Sequence, residues 1–155
     1  MRHLLKTVVA RLRLYRLAAW VYETYRLVAR PHSHGALVAI WWGERLLLVQ
    51  SSYRDRLSLP GGGLDAGETA KQAAVRELAE ELDLVVKPEQ LSDPWTITER
   101  SKRGSNTVTI VSWHVANRPA IRIDNLEIVG YQWVTREEAL AQPLTSHLRA
   151  YLLAP

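Results

Sequence analysis

The rhythm of apolar and polar residues changes once along this chain, near Pro31. Residues 3–29 contain neither proline nor glycine and read as one long helix. It ends before Pro31 and the His32-Ser33-His34-Gly35 turn. Its apolar residues fall into two stripes, Leu4, Val8, Tyr15 and Tyr22 on one side and Leu14, Val21, Tyr25 and Val28 on another. A helix apolar on two sides has two things to contact: its own domain, and a second subunit or a surface. From Ala36 onward the pattern is that of short strands and short helices. Residues 36–42 and 45–50 flank Gly43-Glu44 as a hairpin, and a short strand at 57–59 runs into Pro60-Gly61-Gly62-Gly63. A helix covers about 69–82. Strands at 95–99 and 107–116 are joined by a polar loop with Lys102, Arg103 and Gly104, and another strand spans 126–134. Thr135-Arg136-Glu137-Glu138 opens a short helix that Pro143 ends, and 146–153 forms a last one. Strands interleaved with helices predict an α/β domain with helices covering the sheet. The expected division is a basic helical extension over 1–30 and a domain over 31–155.

Charge sharpens that division. Residues 1–30 hold seven basic residues and one acid, Glu23, for +6, so the other 13 basic and 15 acidic residues leave the domain at −2. The overall +4 therefore belongs to the extension and does not mark the domain as a nucleic-acid binder. A length of 155 residues with 47% hydrophobic composition suits one domain with a full core. The absence of cysteine excludes disulfides, thiolate zinc sites and cysteine nucleophiles, and fits a reducing compartment. No apolar run approaches the roughly 20 residues of a membrane span. Arg11, Arg13 and Arg16 interrupt any signal-peptide core, so the cytoplasm is the expected location. Trp41, Trp42, Trp95, Trp113 and Trp133, five of the six tryptophans, could stack on a base. In a chain with no phenylalanine, most of them must instead fill the core.

The chemistry concentrates between residues 60 and 84. In the helix over 69–82, Thr69 is the N-cap and Gln72 completes a capping box. Helical spacing puts Glu77, Glu80 and Glu81 on one face, with Val75, Leu78 and Leu82 on another. Three carboxylates that close repel one another unless a cation sits among them, and all-oxygen ligands suit Mg²⁺ or Mn²⁺. The glycine turn before the helix lets the backbone come very close to something. The full spacing runs from Gly62 through Glu68 to Arg76-Glu77-Leu78 and Glu80-Glu81. It resembles the signature box of the Nudix hydrolases, the MutT-like pyrophosphatases. One position departs: Asp83 stands where the family pattern has a glycine that closes the helix in the left-handed region. Aspartate tolerates that conformation better than most residues.

The resemblance is specific over 60–84 and covers about 35–153 as architecture. It implies a Nudix-type α/β/α sandwich with a mixed sheet. It further implies that Glu77, Glu80 and Glu81 carry the metal, with Arg76 orienting Glu77 and Glu68 as structural support. Gly61 and Gly62 would bring backbone close to the site or the substrate. Two sources for the general base stay open, a box glutamate or Glu127 on the strand before Gly130. Arg54 and Arg56 before the glycine turn, and Arg100, Lys102 and Arg103 later, could grip phosphates or simply be solvated. His32 and His34 read as loop residues beside the proline turn. The expected activity is hydrolysis of a nucleoside diphosphate linked to another moiety, releasing a nucleoside monophosphate. The rivals are a Nudix-fold module that senses a nucleotide or docks on a partner without turnover, and an RNA 5′-end pyrophosphohydrolase. A homodimer contact through the N-terminal helix is open, and nucleic acid or a membrane surface as its partner is less favoured.

A chain starting near His34 loses the +6 segment and keeps every residue of the box. If the extension packs or dimerises, this truncation should retain small-nucleotide chemistry per folded molecule but become less soluble or change oligomeric state. Sedimentation and a turnover assay on the truncated protein check this. Unchanged solubility with loss of salt-sensitive polyanion binding alone would assign the extension to a polyanion instead.

Overall fold

The computed structural model describes residues 32–101, 104–123 and 126–154; the predicted helix over 3–29 lies outside them. The chain divides into two compact units. Met1–Ser33 with Glu99–Asn106 forms one, and His34–Thr98 with Thr107–Pro155 forms the other. In the described part of the first unit, Ser33 Oγ donates to Asn106 Oδ1 at 2.9 Å. The second unit carries both hydrophobic clusters and every box residue.

Strands β1 (His32–Trp42) and β2 (Arg45–Ser51) form the predicted hairpin, with Trp41 opposite Leu46 and Trp42 opposite Arg45. Below that pairing the chain segment that follows β2 comes in between the two strands. Ser58 exchanges backbone hydrogen bonds with Val49 of β2 at 2.9 and 3.1 Å. Strand β3 (Gly61–Gly63) then pairs antiparallel with Leu37, Ala36 and Gly35 of β1. Gly61 has φ 127°, and a Cβ there would overlap the Ala36 carbonyl and lie 2.9 Å from Leu37 Cα, so only glycine fits. The sheet order is β4 (Trp95–Ser101), β5 (Gly104–Val115), β1, β2, β6 (Ile128–Val134), with β3 attached to β1.

The Ala36–Ile40 run is buried on both faces, as befits a central strand. Ala36, Val38 and Ile40, with Leu47 and Val49, pack against Ala73, Ala74, Leu78 and Leu82 of helix α1 (Ala70–Leu82). Leu37 and Ala39, with Leu46, Leu48 and Ile110, cluster with Ala139 of α2 (Arg136–Leu140) and with Leu144. Leu148 and Leu152 of α3 (Ser146–Leu153) complete that cluster. Helices on both sides of one sheet make the expected α/β/α sandwich. Trp113 and Trp133 pack on the first cluster and Trp41 and Trp95 on the second, the core role expected of them.

Several boundaries differ from the sequence reading: β1 begins at His32, inside the expected turn, β4 runs on to Ser101, and β5 begins at Gly104, a strand residue and not a loop one. The third strand is Gly61–Gly63, whereas 57–59 makes only isolated bridges to Val49 and Leu144. Glycines carry no side chain to register in a hydrophobic pattern, which hid the strand. Strand β6 starts at Ile128, which pairs with Ser51 beyond a bulge between Gln50 and Ser51, where β2 gives way to a turn. Glu127 therefore precedes the strand, a correction to its expected place on it. His34 is likewise a strand residue of β1 rather than a loop residue, its Nε2 2.9 Å from Thr109 Oγ1.

Helix α1 ends as the Asp83 argument requires. Asp83 sits at φ 57°, ψ 37°, and the N–H groups of Asp83 and Leu84 both reach the Leu78 carbonyl. Its carboxylate is 3.8 Å from Arg122, but both side chains are well exposed and the pair contributes little. Asp83→Gly should therefore stabilise the protein by about 0.5–1 kcal/mol with little change in activity. Urea or thermal melts read this directly, and a marked loss of stability would show that the carboxylate has a role of its own.

Candidate metal and catalytic site

A capping box pins the start of α1: Thr69 Oγ1 accepts from Gln72 N at 3.3 Å, and Gln72 Oε1 accepts from Thr69 N at 2.9 Å. That start and the left-handed finish fix which residues face the sheet. Along with the apolar residues, α1 buries Glu77 and Glu81, at 9% and 6% exposure. Glu80 stays at the rim, with its side chain 61% exposed. The shared face predicted for the three carboxylates is thus two buried groups, one turn apart, and one exposed group.

The buried pair meets the glycine strand. Gly61 N donates to Glu81 Oε2 at 2.8 Å. At Gly62 a Cβ would collide with the Glu77 carboxylate, lying 2.7 Å from its Cδ. The close approach that the glycines permit is to the box glutamates themselves.

Arg76 ties the cluster together. Its Nε and Nη2 grip both oxygens of Glu68 at 3.1 and 3.0 Å, a two-pronged pair. Its Nη1 donates to Glu77 Oε1 at 2.8 Å and to Glu80 Oε2 at 3.2 Å, and its Nη2 reaches the Gly63 carbonyl at 2.9 Å. Asp65 lies 3.7 Å from Nε, and its backbone N–H donates to Glu68 Oε2 at 2.9 Å. Glu68 therefore serves the arginine rather than the helix terminus. Asp65 and the Gly63 carbonyl were not legible in the sequence, where nothing but the Asp-Ala-Gly-Glu turn composition marks them.

The electrostatics follow from burial. Desolvation pushes the Glu77 carboxyl above its ordinary value of 4.5, Arg76 pulls it back, and the charges of Glu80 and Glu127 push it further up. Glu68 is lowered by the Arg76 hydrogen bond and the Asp65 N–H. Arg76 is pushed up by Glu68 and Glu77 and remains a cation. As these side chains stand, no group of three or more His, Asp or Glu among the described residues forms a ready metal-holding set. Glu77 and Glu80 each turn one oxygen to Arg76, and Glu81 turns one to Gly61 N. The donor set nonetheless fits a hard divalent ion in kind. It is carboxylate oxygen throughout, and Glu77 carries a negative charge that its surroundings disfavour.

Of the remaining candidates in this unit, Glu127 stands at the margin of the network, and Arg54 and Arg56 have other partners. Glu127 is exposed and close enough for its charge to act on Glu77, and its carbonyl accepts from Ser52 N at 2.8 Å. Arg56 donates to the Leu144 carbonyl at 3.1 Å, and the Arg54 guanidinium lies 5.2 Å from the Tyr53 ring centroid. Arg100 is an exposed β4 residue of the other compact unit. Lys102 and Arg103 lie outside the described residues.

The model of the NUDIX domain family matches residues 31–154. An ADP-ribose pyrophosphatase of Methanocaldococcus jannaschii is 33% identical over 71 residues, which are 44% of this chain and 41% of that protein. The chain thus spans about two fifths of the length of that curated relative. Among solved structures, a MutT protein from Methanosarcina mazei Go1 superposes with a TM-score of 0.67 at 19% identity, covering 81% of this chain and 93% of that one. The E. coli dihydroneopterin triphosphate pyrophosphohydrolase gives 0.62 at 27% identity, covering 79% and 92%.

A raised carboxyl value in the folded state makes a stability contribution that is present below about 4.5 and lost as pH rises through the folded value. Glu77→Gln removes that titration. The stability of the metal-free protein relative to this variant should therefore fall as pH rises from about 4 and level off once Glu77 is ionised. Melts in chelator across pH 4–8 measure the difference, and parallel curves would show that burial does not control Glu77.

Proposed function

Because this chain belongs to the NUDIX domain family, we propose that it is a metal-dependent pyrophosphohydrolase. It cleaves the diphosphate linkage of a nucleoside diphosphate joined to another moiety and releases a nucleoside monophosphate. The observation that carries this reading is the burial of Glu77 and Glu81 against Gly61 and Gly62, with Arg76 holding Glu77 in place. Such an arrangement disfavours the free carboxylates and suits a bound cation. In this reading Glu77, Glu80 and Glu81 would hold Mg²⁺ or Mn²⁺, which would neutralise phosphate charge and lower the pKa of a water. Arg76 keeps Glu77 oriented through its hydrogen bond to Oε1. Glu127, near enough for its charge to act on Glu77, is the proposed general base that takes the proton from water. Gly61 and Gly62 let the backbone lie beside the reacting group, and Arg54 and Arg56 are proposed phosphate contacts that would exchange Tyr53 and the Leu144 carbonyl for phosphate oxygen. Among the described residues no helix is long and apolar enough to cross a membrane, and the cytoplasm is the proposed location. The M. jannaschii relative is named for ADP-ribose, which makes an ADP-linked sugar the first substrate to try.

The test is a panel of nucleoside diphosphate derivatives with Mg²⁺ or Mn²⁺, scored for monophosphate release. Glu80→Gln and Glu81→Gln should each lower turnover by at least about a hundredfold. Both should fold: Glu80 is exposed, and a glutamine carbonyl at 81 can still accept from Gly61 N–H. Stability without metal should hold or rise slightly, and stabilisation by added Mg²⁺ should shrink. Wild-type activity in either variant would remove that residue from the metal set.

A further inference from the structure

The sheet face that carries α1 is apolar under the helix and polar beside it. Val111 and Trp113 of β5 belong to the cluster under α1, and Val108 and Ile110 to the opposite one. Side chains alternate along a strand, so Thr107 and Thr109 lie on the α1 face. Trp95 and Ile97 of β4 pack on the opposite cluster, which leaves Thr96 and Thr98 on the α1 face as well. His34 of β1 shares that face with Ala36 and Val38. All of these polar residues belong to one compact unit. His34 Nε2 lies 2.9 Å from Thr109 Oγ1, which lies 3.1 Å from Thr96 Oγ1. The Thr98 and Thr107 hydroxyls meet at 2.8 Å. Thr109 is buried, at 4% exposure, while His34, Thr96 and Thr98 are exposed.

The chain from His34 to Thr96 dictates what it can bind. Thr109 has one hydroxyl proton, so it donates to one neighbour and accepts from the other. If it donates to Thr96, the His34 Nε2–H donates to it. The neutral imidazole then leaves Nδ1 as an acceptor, and the Thr96 O–H is free to donate. If Thr109 donates to His34 instead, Thr96 donates to Thr109. The donor is then Nδ1–H, and Thr96 Oγ1 keeps a lone pair. In both arrangements the two exposed ends present one donor and one acceptor, and they exchange roles together. Hydroxyl groups donate and accept, so a ligand with two of them satisfies either arrangement. A phosphate oxygen only accepts and an ammonium group only donates, so each meets half of the pair.

We propose that this strip is the subsite for a sugar ring of the substrate, whose neighbouring hydroxyls bond to His34 Nδ1 and to the hydroxyls of Thr96 and Thr98. The inference rests on the hydrolase reading for the diphosphate. The strip and the box glutamates share one face of the sheet. Ala36 pairs with Gly62, and the Glu77 carboxylate stands over Gly62, where a Cβ would lie 2.7 Å from its Cδ. His34 is the next residue of β1 on that face, about 7 Å along the strand from Ala36, and paired strands are about 4.8 Å apart. His34 therefore stands on the order of 10 Å from the Glu77 carboxylate on the same side of the sheet. A sugar joined to a diphosphate covers that length. Thr109, buried beneath, is a positioning residue that holds the imidazole.

The experiment compares wild type, Thr96→Val and His34→Phe on two pairs of substrates with Mg²⁺. One pair is ADP-ribose and the ethyl ester of ADP, which differ in the linked sugar. The other is ADP-ribose and its 2′-deoxyadenosine counterpart, which differ in the sugar of the nucleoside. Equilibrium dialysis of the same compounds is run alongside. Both positions are exposed and lie on different strands, so a variant that misfolds leaves the other as the test. In at least one pair, the kcat/KM preference for the more hydroxylated member should fall by roughly three- to tenfold in each folded variant, as loss of one hydrogen bond dictates. The pair that responds identifies which sugar occupies the strip. If wild type cleaves the panel and the folded variants keep both preferences, the subsite is refuted and the hydrolase reading stands. If wild type cleaves none of the panel yet binds the more hydroxylated member of a pair more tightly, and the variants lose that difference, the subsite stands and the hydrolase reading fails for these substrates. A wild type with no preference within either pair, in cleavage or in binding, would overturn the subsite.

Discussion

Glu77 is a carboxylate placed where water reaches it poorly, under a backbone that leaves no room for a Cβ at residue 62. An uncompensated buried charge costs several kcal/mol, so this position exists only because Arg76 donates to it at 2.8 Å. The arginine is itself fixed from the other side by the two oxygens of Glu68 and by the Gly63 carbonyl. Much of the local architecture follows. Gly62 must lack a side chain, and Gly61 must take φ 127° to stay paired with β1. The glycine strand must then enter between β1 and β2, which sets the pairing of Ser58 with Val49.

The helix is constrained at both ends for the same reason. Each residue advances an α-helix by about 100°, so a slip of one position would turn Glu77 and Glu81 away from the glycines and bring Leu78 out of the core. The capping box at Thr69 and the left-handed Asp83 set that register from outside the site. Leu78 and Leu82 set it from below, packed among Ala36, Val38 and Ile40. Stability and site geometry are therefore not separable in α1. The same turns that bury its apolar residues bury its two carboxylates.

What could be read from the sequence was what local chemistry encodes. The capping box, the helix over 69–82, the hairpin at Gly43-Glu44 and the left-handed Asp83 each depend on residues a few positions apart. The α/β/α architecture followed from alternation of elements. The difference between Glu77 and Glu80 could not be read, because spacing puts both on one face and only the sheet decides which is covered. Nor could the grip of Arg76 on Glu68, eight residues away across a turn. Glu127 was misplaced because the ladder between β2 and β6 stops at Ser51 and Ile128, where the partner strand turns at Ser52, a limit that residues near 127 do not record. Arg54 and Arg56 looked like one basic pair, yet one lies over an aromatic ring and the other binds a carbonyl of the α2–α3 linker.

The arginine also limits what can bind beside it. Its guanidinium stays charged, held so by Glu68 and Glu77, and a second cation nearby must overcome that repulsion. Arg76 engages Oε1 of Glu77 and Oε2 of Glu80, which fixes each carboxylate by a single oxygen. A carboxylate has two oxygens and about four lone-pair positions, so each group retains one whole oxygen for another partner. Glu68 meanwhile gives both of its oxygens to the arginine and has the least left to offer. Four nearby acids thus divide by geometry. Glu68 neutralises the arginine, Glu77 and Glu80 are oriented by it, and Glu81 is oriented by the glycine backbone instead. A lysine at position 76, with a single nitrogen, could not make the two-pronged grip on Glu68 and reach Glu77 as well. The division of labour among the carboxylates depends on the planar fork of the arginine and not on its charge alone.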